Sequence, residues 1–156
     1  MELVKKYGIK VFCLIALIAL FFPMASVTLE IDYYDNTTSL SGFTVALQGY
    51  VCMLLIVGPI AIFAADYIAI VKRLRALVQA GVSILGVVLT FVGYLQASKI
   101  ASAGQAAGMG FVDCEASIGF GGILCIISYA GILAITLLFQ KDELIENINA
   151  LKATSK

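Results

Sequence analysis

Charge is absent from four long windows of this chain, residues 11–29, 36–65, 76–98 and 116–140. About 20 consecutive apolar residues suffice to cross the ~30 Å hydrocarbon core of a bilayer, and the windows have that length or come within a residue of it. The 156 residues are 62% hydrophobic and only 13% charged, where an ordinary soluble domain carries roughly 25% charge. A chain this small has too little interior to hide so much apolar surface. The sequence therefore predicts an all-α membrane protein, a single domain over 1–156 built as a four-transmembrane-helix bundle. The expected spans are about 8–25, 49–71, 75–98 and 118–140, followed by a cytoplasmic tail over 141–156.

The first apolar run is longer than a signal-peptide core and lacks a clean small-x-small cleavage site, so it reads as a retained span. Beyond Pro23, residues Val27 to Tyr33 alternate apolar and polar with period two, a strand pattern. Asp35-Asn36 suits a turn, and Thr37 to Val45 suits a returning strand with Gly42 as a bulge or a close approach. A small extracellular β-hairpin is thus expected in the first loop, residues 26–47, leaning on the second loop or on helix ends, because two strands alone are marginal. Gly58-Pro59 predicts a kink in the second span. Residues 98–116 read as a second loop rich in Gly and Ala.

Nine of the ten lysines and arginines flank the windows on one side, and only Lys99 falls on the other. The positive-inside rule then puts both termini in the cytoplasm of a plasma or inner membrane. Composition removes several chemistries. There is no histidine, so no histidine base or metal ligand, and no tryptophan. Net charge is zero, without a nucleic-acid signature. No C-x-x-C occurs among the four cysteines, which disfavours thioredoxin-type chemistry. Neither a metal nor a cofactor is called for.

Several residues stand out. Gln79, Ser83, Gly86, Thr90, Gly93 and Ala97 recur at steps of four and three along the third span. Such a small or polar stripe either packs helices closely or lines a pore. Asp66 is the one acid inside a span and is either an ion-pair partner of the basic turn or a proton or cation site. Cys52 and Cys114 fall near the same interface; free thiols are expected at all four cysteines, with a Cys52–Cys114 disulfide as the alternative. Glu30, Asp32 and Asp35 make the first loop acidic without the spacing of a calcium loop.

The order of span, larger β-containing loop, span, short basic turn, span, smaller loop, span and tail over residues 8–140 resembles the claudin-type tetraspan proteins. That family's first-loop tryptophan and cysteine pair have no counterpart here. Ser41-Gly42-Phe43 and Gly119-Phe120-Gly121 also resemble small bacterial four-span membrane proteins, a group that implies no particular activity. With no convergent acids, bases or metal ligands, no enzyme is expected. The expected role is a non-enzymatic one, through helix and outer-loop contacts in the lipid bilayer, with itself or another membrane protein as partner. The alternative is an oligomeric cation channel or small transporter that uses the stripe of the third span.

Overall fold

The computed structural model describes residues 7–31, 34–47, 52–64, 74–107 and 113–154. Helix α1 (Ile9–Ala19) leads into strand β1 (Pro23–Ile31), which is followed by β2 (Tyr34–Ser41) and a short helix α2 (Gly42–Leu47). Then come α3 (Leu54–Ala64), the 33-residue α4 (Arg75–Ala107), β3 (Asp113–Ile118), α5 (Phe120–Phe139) and α6 (Lys141–Thr154).

Helices α1, α3, α4 and α5 pack around a shared core, and the strands cap one end of it. α5 packs on α1 and on α4, and α3 fills the side between α1 and α4. α1 runs antiparallel to α5, with Phe12 against Gly131 and the Ala19 carbonyl against Gly121. Their shared core centres on Cys13, Ala16, Leu20, Leu55, Cys125, Tyr129 and Ile132, all almost fully buried. The sheet has the order β2-β1-β3, antiparallel throughout, with β1 in the middle. Its inner face sets Ala25 and Val27 on Ala97 and Ala101 of α4. Helix α6 begins after a break at Gln140, carries Asp142 and Glu143 in its first turn, where the helix dipole favours acids, and turns back onto α4.

This architecture corrects the expected four-transmembrane-helix bundle. Among the described residues two helices, α4 and α5, are long and apolar enough to cross a membrane, and a three-stranded sheet accompanies them. Among the described residues the other two apolar runs yield helices of 11 residues, α1 and α3. Eleven residues rise about 16 Å, half the thickness of a hydrocarbon core. The reason is that freedom from charge does not specify helix. Pro23 ends the first helical run, and the β-branched alternation that follows pulls residues 23–29 of that charge-free window into β1. The second window opens with most of β2 and all of α2 before α3 begins.

The loop readings are corrected too. The hairpin starts earlier, at Pro23, and β2 stops at Ser41; Gly42 begins a helix rather than forming a bulge, and it is a close approach, since a Cβ there would stand 2.7 Å from Leu20 Cα. The second loop is mostly regular structure: α4 continues to Ala107, and Asp113–Ile118 is a strand. Alanines at 97, 101 and 106–107 favour helix, and burial of Ala97 and Ala101 under the sheet rewards it.

Candidate functional site

The α4 stripe lies wholly inside the chain. Gln79, Ser83, Gly86, Thr90, Gly93 and Ala97 are all buried, and each meets an element of the same molecule or its own helix. Ser83 donates to the Gln79 carbonyl at 2.6 Å and Thr90 to the Gly86 carbonyl at 2.8 Å. Such local bonds let hydroxyls sit in an apolar interior without leaving a donor unmatched. Thr136 of α5 donates to the Ile132 carbonyl at 2.8 Å, and its hydroxyl lies 3.5 Å from Gln79 Oε1. Higher on α4, Gly93 faces Val45 of α2 and Met24 of β1, and Ala97 touches the sheet.

Tyr129 is the residue that sequence reasoning missed. It is 1% exposed. Its ring covers Gly86 so closely that a Cβ there would stand 2.6 Å from three ring carbons. Its hydroxyl donates to the Leu55 carbonyl of α3 at 3.2 Å. Leu55 precedes Pro59 by four residues, and proline has no N–H to give. Pro59, which lies within α3, therefore orphans the Leu55 carbonyl, and Tyr129 supplies the donor from the neighbouring helix. A proline inside an apolar window signals such an orphan; nothing in the sequence says which side chain answers it.

A second convergence lies where the sheet joins the helices. The turn between α1 and β1 is gripped from two sides. Gly42 N–H donates to the Phe22 carbonyl at 3.3 Å and Phe43 N–H to the Leu20 carbonyl at 3.1 Å. From the β3–α5 corner, Gly119 N–H donates to the Met24 carbonyl at 2.9 Å. A Cβ at Gly119 would stand 2.3 Å from the Pro23 carbonyl oxygen, and one at Gly121 2.6 Å from that of Ala19. Backbone meets backbone here, so only glycine fits. Ser41-Gly42-Phe43 and Gly119-Phe120-Gly121, far apart in sequence, thus hold the same turn. Rings surround it: Phe21 stacks edge-on with Phe43 and Phe22 with Phe120.

The two faces of the sheet differ. On one, the register aligns Ser39, Ser26 and Ser117, then Thr37, Thr28 and Glu115, then Asp35, Glu30 and Asp113. Glu30, Asp113 and Glu115 are exposed. Glu30 and Asp113 are paired across β1 and β3, and like charges directly opposite one another are destabilising. On the other face, Val27, Leu29, Thr38 and Leu40 overhang Ile100 and Gly104 of α4 and enclose a groove of about 220 Å³.

Asp66 and Asp32 lie outside the described residues. The disulfide between Cys52 and Cys114 is not formed, and all four cysteines are free. Cys114 is held on β3 opposite Leu29 and against Gly104, whereas Cys52 is buried in the helical core beside α3. Cys125 Sγ–H points at the Ala16 carbonyl, 3.9 Å away. Among the described residues no group of three or more acids or cysteines is placed to hold a metal ion.

Comparison with known proteins adds no relative: no family model, no curated protein and no solved structure matches this chain.

Proposed function

We propose that the chain is an integral protein of a plasma or inner membrane that acts through contacts, as a homo-oligomer or as an accessory subunit of a membrane assembly. One observation carries this reading: the interior is filled and its exterior is apolar. Ile84, Val88, Phe91 and Leu95 of α4 and Ile123, Ile127 and Leu138 of α5 are all exposed, as are Leu14 of α1 and Ile60 of α3. A soluble monomer rarely leaves an apolar patch of more than a few hundred Å² open to water. A lipid environment removes that cost.

The basic residues favour one orientation. Lys10, Arg75 and Lys141 stand at the end of the helices away from the sheet, and Lys99 is at the sheet end. The positive-inside rule sends the Lys10–Arg75–Lys141 end to the cytoplasm and the sheet outside. The buried stripe supports contacts rather than a cation path. Its positions are occupied by Tyr129, Thr136 and Met24 of the same chain, so it offers no polar surface to a channel.

The test is extraction followed by sizing. The protein should stay with membranes in alkaline carbonate and leave only in detergent. In mild detergent it should run as more than one chain or bring a second protein with it. Release by carbonate defeats the membrane reading. A lone monomer with no copurifying protein defeats the contact reading, and a cation conductance in reconstituted vesicles replaces it with a channel.

A further inference from the structure

Helix α5 has 20 residues, bounded by Phe120 and Phe139. At 1.5 Å per residue that is about 30 Å, the thickness of a hydrocarbon core. At its first residue the chemistry of the surface changes. Above lies the sheet, with Ser117, Glu115 and Asp113 exposed on β3. Below lie Ile123 and Ile127, exposed and aliphatic. At the change itself, Phe120 is 61% exposed and Phe21 is 73% exposed. Phe22 shares this level through its ring contact with Phe120, centroids 5.6 Å apart. Such rings, open to the surroundings at the junction of an apolar and a polar zone, have the chemistry that settles at the headgroup–acyl boundary.

α4 gives an independent measure of the same level. Gly86 meets Tyr129 and Gly93 meets Met24, so α4 passes the phenylalanines near Gly93–Leu95. Lys99, Ser102 and Gln105 then follow, all exposed. A 33-residue helix is about 50 Å long, too long for the core alone. Its last turns belong outside, under the sheet.

We propose that Phe21, Phe22 and Phe120 form a lipid-binding collar that sits at the outer edge of the hydrocarbon, sets the depth of the molecule and holds the whole sheet clear of the bilayer. The partner is the glycerol–acyl boundary of a phospholipid leaflet. The glycine-gripped turn fixes the collar rigidly to both helices and sheet, because Phe21 and Phe22 occupy that turn and Phe120 follows Gly119. The proposal rests on the membrane reading, and the test separates the two.

The chain contains no tryptophan, so one introduced indole reports alone. Phe120→Trp, Phe21→Trp, Ile127→Trp and Ser117→Trp all fall at exposed positions. Each variant is reconstituted into phosphatidylcholine vesicles brominated at known acyl carbons. Phe120→Trp and Phe21→Trp should be quenched best by bromines near the headgroup end of the chain. Ile127→Trp, seven residues or about 10 Å deeper, should be quenched best by bromines near the bilayer centre. Ser117→Trp should escape quenching and emit like indole in water. A collar residue quenched at the same depth as Ile127→Trp, or not at all, overturns the collar while the membrane reading stands. An Ile127→Trp that no bromine reaches overturns both.

Discussion

Ser83 and Thr90 of α4 donate to carbonyls one turn back on their own helix, whereas Ser26, Thr28 and Glu30 of β1 stand in cross-strand rows with hydroxyls and carboxylates of β2 and β3. Both regions carry polar residues at regular spacing. On α4 the hydroxyls of Ser83 and Thr90 are consumed locally, so the stripe behaves as small apolar volume and lets α5 approach. In the sheet the polar groups remain available on the surface, and Glu30 and Asp113 repel one another. The contrast shows that a polar stripe states where a chain has room, not where it meets water. What decides is whether a carbonyl lies within reach of each hydroxyl, as it does one turn back on a helix.

The largest effect should come from the junction that links the two regions. Gly121→Ala places a methyl against the Ala19 and Phe22 carbonyls, where backbone has to shift. It should cost about 3 kcal/mol, the upper end of overpacking penalties, read as a lowered Tm in detergent. A Tm within a degree of the parent would mean that the turn is not gripped. Next, two glycines of α4 make a matched pair. Gly86→Ala drives a methyl into the Tyr129 ring and should cost about 2 kcal/mol. Gly81→Ala meets open space and should stabilise, by at most about 1 kcal/mol from helix propensity. Equal shifts at both positions would break the claim that the stripe is packed and its surroundings are not.

Tyr129→Phe comes third. It leaves the Leu55 carbonyl buried without a donor, a cost of about 1–2 kcal/mol. Pro59→Ala restores an N–H to that carbonyl, so Tyr129→Phe in the Pro59→Ala background should lose most of its effect. A double-mutant cycle by thermal or denaturant unfolding measures the coupling; strictly additive costs would show that the hydroxyl does not serve the proline's orphan. Smallest is Glu30→Gln. Removing the charge that faces Asp113 across the β1–β3 pair should raise stability by about 0.5 kcal/mol at low salt and by less at high salt. A loss of stability would show that the pair holds a favourable contact instead.

Residue pattern made some of this legible. The third and fourth charge-free windows coincide with the two helices that, among the described residues, are long and apolar enough to cross a membrane. The first two windows were misleading, because hydropathy counts residues without asking what Pro23 and a period-two run do to the backbone. β3 had a visible signal, Cys114, Ala116 and Ile118 alternating with Asp113, Glu115 and Ser117, but six residues of alternation weigh little until a partner strand is known. The partner is β1, in line with a hairpin that leans on the second loop, but the register between them has no local signal. The stripe of α4 was readable from its spacing; its filling by Tyr129 was not, since that depends on the rotation of α5 about its axis. The free state of Cys52 and Cys114 agrees with the expectation from the sequence.

The order of the sheet also bears on how the protein is made. β1 is the middle strand, yet one of its neighbours is β3, whose Cys114 pairs with Leu29. At a synthesis rate of roughly 5–20 residues per second, β1 waits on the order of ten seconds with that edge unfilled. Throughout this interval it is a bare template for any other extended chain. The grip of Gly119 and Gly121 on the α1–β1 turn arrives at the same late moment as β3. Completion of the sheet and locking of the first helix are therefore one event in biogenesis, timed by emergence of the β3–α5 corner from the ribosome.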